Sequence, residues 1–199
     1  MKNILIINAY ETNQELQESI KNTFIKTSVN HFMKINTNVI VLNMEDDLTL
    51  ENQVSLFNWA DTVMFQLPVN WMSVPEKFKK FLGITLNTGA KRELKTHNRQ
   101  KEINYMLSLS FTSQSEAFGN KKKNYLIEKM IDNIISNVHF NFNGLKMKKI
   151  KTFVSLNSLK SKKIKNDKSR FVDHLNEVFP INKEENVSVN KKYLNHELI

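Results

Sequence analysis

The chain of 199 residues has no cysteine, only four glycines and only three prolines, and each shortage removes possibilities. Without thiols there is no disulfide, no thiolate metal ligand and no cysteine nucleophile, and a reducing cytoplasm is the expected compartment. With so little glycine the sequence has no GxGxxG, no Walker loop and no GxSxG elbow. The five histidines, His31, His97, His139, His174 and His196, are scattered and never fall at HExxH spacing, so no metal site is expected. No apolar run is long enough to span a bilayer, and MKNILIINAY is too short an apolar stretch for the core of a signal peptide.

Positive charge, by contrast, is abundant: the net charge is +9, with lysines concentrated in Lys121–Lys123, Lys146–Lys151 and Lys160–Lys165. A basic face supplies the electrostatic part of phosphate-backbone binding. These runs lack interleaved aromatics and any nucleic-acid motif, and a surplus of Asn, Lys and Ile over Gly, Pro and Arg is what AT-rich coding imposes. No specific nucleic-acid partner is therefore expected.

Hydrophobic periodicity gives strand-then-helix units, the mark of a parallel sheet covered on both faces. Ile4 to Ile7 is a short apolar run ending at Asn8, as in a central parallel strand. Leu16, Ile20, Phe24 and Ile25 predict a helix over residues 12–32, capped by Thr12 or Asn13. A strand over Asn38–Leu42 leads through a solvated acidic loop, Glu45–Asp47, to a helix over Leu50–Asn58. The third strand, Thr62–Leu67, is expected to stop at Pro68, and the third helix to open at Ser73, with Pro75 in its first turn, and to close at Gly83. After a polar loop from Asn87 to Lys101 come a strand over Ile103–Leu109, a helix over Lys122–Asn137, a strand over Lys149–Val154 and a helix over Lys168–Phe179. The expected fold is a flavodoxin-like α/β three-layer sandwich over residues 1–180, its five-stranded parallel sheet in the order 2-1-3-4-5, with residues 181–199 a polar tail or lid.

In that topology the turns after the first, third and fourth strands meet at the switch point. Ala9–Asn13 precedes a helix N-terminus, whose unpaired amides and partial positive charge favour a phosphate, and Thr12 and Asn13 add a hydroxyl and an amide. Read alone, Thr12 is a helix cap, and Glu11 and Glu15 place negative charge at the same spot. Pro68–Met72 offers backbone amides, the side-chain amide of Asn70 and the aromatic face of Trp71, with Gln66 just ahead of it. Ser110–Glu116 mixes hydroxyls with Phe111. No acid, base or nucleophile is marked by spacing, so catalytic residues stay unassigned. A flat aromatic wall with few charges suits a flat heteroaromatic ligand that brings its own chemistry, as a flavin does. The plainer readings are a core aromatic for Trp71 and ordinary turn chemistry for the serines.

Four stretches carry a family resemblance: ILIIN; WAD followed by QLPVNWMSVPEKFKKF; YMLSLSFTSQSEAF; and the run from Gly144 through TFVSLN to FVDHLNEVF. Over residues 1 to about 180 the chain resembles the modulator of drug activity B family of flavodoxin-like NAD(P)H:quinone oxidoreductases. The resemblance implies a cytoplasmic homodimer that holds FAD, with FMN second, and passes a hydride from NAD(P)H to a quinone or similar flat acceptor. Residue by residue, it implies Thr12, Asn13, Glu15, Leu16 and Ser19 at the flavin phosphates. Pro68, Val69, Asn70, Trp71 and Met72 would border one part of the ring and Ser110, Phe111, Thr112 and Ser113 another, with Trp71 and Phe111 flanking or stacking on it. Departures from the family pattern are Gln14 in place of a phosphate-turn glycine, Val69 in place of a ring-loop glycine and Asn70 in place of a tryptophan. These leave open the alternative of a flavin-less regulatory or interaction protein that kept the fold.

Overall fold

A computed structural model describes residues 1–10, 15–69, 74–84, 101–111, 129, 145–156 and 161–181. Its strands are β1 (Asn3–Asn8), β2 (Asn38–Asn43), β3 (Thr62–Val69), β4 (Lys101–Phe111), β5 (Leu145–Lys149) and β6 (Phe153–Leu156). Its helices are α1 (Glu15–Lys34), α2 (Leu50–Trp59), α3 (Glu76–Phe81) and α4 (Ser161–Val178). All pairings are parallel, in the order β2-β1-β3-β4-β5, with β6 also on β4, so the expected 2-1-3-4-5 sheet is present.

Alternation along the buried strands divides the core into two layers. Leu5, Ile7, Val63, Phe65, Leu67, Leu107 and Leu109 meet Val54 and Phe57 of α2 and Phe78 and Phe81 of α3. Ile4, Ile6, Met64 and Met106 meet Phe24 and Phe32 of α1 and Phe171 and Leu175 of α4. Because both faces are covered, successive residues of β3 are all buried, which is why its sequence shows no polar alternation. Local chemistry fits: Thr49 Oγ1 accepts from the Asn52 amide at 3.3 Å to cap α2. Where α1 must turn back, Asn36 adopts φ 53, with Thr37 N–H returning to Phe32 O at 3.3 Å. Asparagine takes the left-handed position that glycine more often fills.

Four expectations are corrected. β3 does not stop at Pro68 but runs to Val69, with Pro68 paired to Ser110 in register. Its missing N–H is harmless because the ladder to β1 ends one step earlier, where Ala9 N–H donates to Gln66 O at 3.0 Å. The fifth strand is two segments: Tyr105 pairs with Lys149 and Ser108 with Phe153, two intervening residues facing three, so one extra residue is inserted as a bulge around Ile150–Thr152. α3 opens at Glu76 with Pro75 as its cap, rather than at Ser73. α4 opens at Ser161, seven residues before the expected Lys168, since Ile164 and Asp167 continue the inward stripe of Phe171 and Leu175. A buried aspartate in that stripe hides the period. The helix expected over Lys122–Asn137, apart from Lys129, and the tail beyond Ile181 lie outside the described residues.

Asp167 is inward because Ser155 Oγ donates to its Oδ2 at 2.6 Å, while Arg170 reaches Oδ1 at 2.6 Å and lies over the Phe153 ring at 5.6 Å. Asp167→Ala leaves the buried Ser155 hydroxyl without its partner and should destabilise the protein by about 1–3 kcal/mol. Urea unfolding midpoints test this, and an unchanged midpoint would contradict it.

Two histidines tie α4 down. His31 Nε2 donates to Phe179 O at 2.8 Å, joining the ends of α1 and α4. Burial lowers its pKa, with Lys34 adding to the effect and the Phe179 carbonyl opposing it. Burial also lowers that of His174, against the Lys151 backbone partner. The unfolded chain therefore takes up protons first as pH falls, and the stabilisation, complete above the unfolded value near 6.5, is lost as pH drops towards the lowered folded values. Unfolding midpoints should fall between about pH 7.5 and about pH 5.5, and a flat profile over that range would refute it.

Candidate active site

At the carboxyl edge of the sheet, polar residues enter the strands in a row. Asn43, Asn8, Gln66 and Ser108 lie level in register, and Ser110 is level with Pro68 and Ser155 two residues further on. Asn8, Gln66, Ser108, Ser110 and Ser155 are all fully buried. Asn8 organises the first turn: Nδ2 donates to Asn43 Oδ1 at 2.8 Å, and Oδ1 accepts from the Tyr10 amide at 3.2 Å. Its carbonyl accepts from Met44 N–H at 3.0 Å. Asp46, from the acidic run read as merely solvated, accepts from the Asn43 amide at 2.8 Å and so closes the loop after β2.

On the α1/α4 side, Gln66 Nε2 lies 3.4 Å from Ser28 Oγ, which in turn donates to Phe24 O at 2.9 Å. Yet Gln66 Oε1, Ser108 Oγ, Ser110 Oγ and the Tyr10 hydroxyl are buried without a hydrogen-bond partner. Burial drives the Tyr10 phenol pKa well above its usual value, and the nearby Ser110 hydroxyl offsets this only in part. Interiors rarely leave such groups unpaired, and four of them at the strand ends mark a place built to meet something further.

Of the residues singled out from the sequence, Pro68, Val69, Ser110 and Phe111 are brought together: Pro68 pairs with Ser110 and Val69 with Phe111. Phe111, expected to flank the ring, has no exposed surface and packs with Val69 in the α2/α3-side core. Glu15, Leu16 and Ser19 occupy the first two turns of α1, directly after the β1 turn. Thr12, Asn13, Asn70, Trp71, Met72, Thr112 and Ser113 lie outside the described residues. Sequence reasoning passed over Asn8, Tyr10 and Ser108. The signal was available in β4, where Met106, Ser108 and Ser110 alternate on one side of an otherwise apolar run.

An open cleft of about 420 Å³ lies elsewhere, beside the bulge, lined by Thr152, Phe153, Val154, Arg170, Asp173, His174 and Glu177. Of its charged lining, Arg170 is paired with Asp167 and Glu177 with Lys151, and the cleft belongs to the edge strand rather than to the switch point. Among the described residues there is no group of three or more His, Asp or Glu able to hold a metal ion, and no helix long and apolar enough to cross a membrane. The polar set at the strand ends fits a flavin: hydroxyls can donate to its ring carbonyls, the Gln66 amide oxygen can accept from its ring N–H or ribityl hydroxyls, and the start of α1 suits its phosphate.

Comparison with known proteins agrees with the fold. The chain is 22% identical over 192 residues to the NADPH:quinone oxidoreductase MdaB of Haemophilus influenzae, covering 89% of this chain and 99% of that one. Among solved structures, an NADPH-quinone reductase from P. pentosaceus superposes with a TM-score of 0.58 at 16% identity, over 87% of this chain and 97% of its own. An FMN-dependent NADH-azoreductase from Bacillus anthracis, in complex with FMN, gives 0.56 at 11%, over 89% and 99%. A family model described as flavodoxin-like fold matches residues 2–177, and the chain belongs to that family.

Proposed function

We propose that this protein is a flavin-dependent NAD(P)H oxidoreductase acting on a quinone or similar flat acceptor. The observation that carries the reading is the polar row at the switch point, where Tyr10 just after β1, Gln66 of β3 and Ser108 and Ser110 of β4 present buried, unpaired oxygens. The relatives support it, since those named above are quinone and azo reductases.

FMN is the first cofactor in this reading and FAD the second. The sequence resemblance favours FAD, but a pyrophosphate is approached most easily over glycine, and the β1–α1 turn has Gln14 where the family has one. FMN asks only for a monophosphate seat, and the azoreductase neighbour holds FMN. Residues Thr12, Asn13, Glu15, Leu16 and Ser19 would hold the phosphate end. Pro68, Val69, Asn70, Trp71 and Met72, together with Ser110, Phe111, Thr112 and Ser113, would border the ring. With its ring in the core, Phe111 would contribute backbone. When bound, the flavin supplies the hydride chemistry. The chain's part would be positional: Trp71 would offer the ring a flat face, and the amides of Asn70–Met72 would favour the negative charge that develops at the ring edge on reduction. Assembly as a homodimer and residence in the cytoplasm complete the reading.

The test is anaerobic. NADPH or NADH should bleach the visible absorption of the flavin-loaded protein, and a benzoquinone should restore it. Trp71→Ala should weaken flavin binding by about 1–3 kcal/mol, on the scale of base–aromatic stacking, while the fold is retained. A protein that never takes up flavin overturns the enzyme reading in favour of the interaction protein. Unchanged affinity in Trp71→Ala removes Trp71 from the site.

A further inference from the structure

Among the described residues Asp167 is the only buried one that carries a carboxylate, and an interior keeps such a group only where something holds it. Ser155 does so, donating from Oγ to Asp167 Oδ2 at 2.6 Å. On β6 Ser155 is level with Ser110, which in turn is level with Pro68, so the carboxylate is tied to the row that would border the ring. Its counter-ion faces solvent. Arg170 Nη1 meets Asp167 Oδ1 at 2.6 Å, while Nη2 donates to Val154 O at 3.3 Å and the guanidinium lies over the Phe153 ring. The Arg170 side chain is 59% exposed and that of Asp167 8%, so water screens the cation far more than the anion, and the pair keeps its negative end inside. The hydrogen bond from Ser155 does not account for the charge, because the side-chain oxygen of an asparagine would accept it as well.

We propose that Asp167 sets the reduction potential of the bound flavin: its carboxylate, fixed by Ser155 beside the end of β4, opposes the negative charge that the ring gains on reduction. The inference rests on the flavin reading above. Asp167 touches neither the flavin nor the reacting atoms, and acts through its field, which a buried site transmits with less screening than a surface would. Reduced flavin is then held less tightly than beside a neutral residue, and it gives up its hydride to the acceptor more readily. Arg170 offsets part of this from outside. The role is separable from packing, since Asp167→Asn keeps the size of the side chain and an acceptor for Ser155 while removing only the charge.

The readout is the two-electron reduction potential of the FMN-loaded protein, measured by anaerobic titration against a reference dye. Asp167→Asn should bind reduced FMN about 3- to 10-fold more tightly relative to oxidised FMN, which raises the potential by about 15 to 30 mV. Arg170→Gln, which leaves the carboxylate without its counter-charge, should move the potential the other way, and by less because that cation is already screened. Opposite signs are what a charge effect requires; a loosened fold would move both variants in one direction. A potential unmoved in Asp167→Asn, or shifts of the same sign in the two variants, would overturn the proposal while leaving the flavin reading intact. If Asp167→Asn does not fold, Arg170→Gln decides alone: a lowered potential supports the proposal, and an unmoved or raised one overturns it. A wild-type protein that takes up no flavin overturns that reading, and this proposal with it.

Discussion

A parallel sheet covered on both faces can bring polar side chains to a ligand only where its strands run out, and the rest of this structure depends on that constraint. Up to Ile7 and Phe65, the central strands β1 and β3 feed two apolar layers, with Thr62 at the start of β3 the buried polar exception. At Asn8, Gln66 and Ser108 the character changes within one register row, and side chains that could not be tolerated mid-strand become possible because the edge is near. The strand lengths matter here: β1 ends at Asn8 while β3 and β4 run on to Val69 and Phe111.

The polar row is held from its flanks. On one side the loop after β2 is closed by Asp46 on Asn43, which in turn fixes Asn8. On the other, Ser155, level with Ser110, is bonded to Asp167 of α4, and the bulge ahead of β6 brings Phe153 and Ser155 onto the α1/α4 side. Without that inserted residue, alternation would turn these side chains to the opposite face. α1 and α4 are locked to each other at their far ends by His31 and Phe179, so the helices that cover the site side of the sheet form one packed layer.

Most of the sheet was legible in the sequence because a doubly covered parallel strand writes itself as an unbroken apolar run: ILII, TVMF and YMLSL each locate a strand, and their spacing by amphipathic helices gives the order. What was not legible depends on a second element. Pro68 reads as a strand breaker unless one knows that β1 has already ended beside it. The bulge is invisible without the register of β4, and the early start of α4 is masked by an aspartate whose partner, Ser155, is on another element. The site divides in the same way. Trp71 stands out by residue type, whereas Ser108 gains meaning only when the sheet sets it level with Gln66 and Asn8.

The central claim is that the carboxyl ends of β1, β3 and β4 form the cofactor seat. A crystal structure of the FMN-loaded protein tests it most directly. The account predicts the ring at the ends of β3 and β4, the phosphate at the start of α1, and the oxygens of Tyr10, Gln66, Ser108 and Ser110 each paired within the protein, to water or to the flavin. A flavin seated instead in the cleft between α4 and β6, or a strand edge whose buried oxygens stay unpaired with FMN bound, would contradict it.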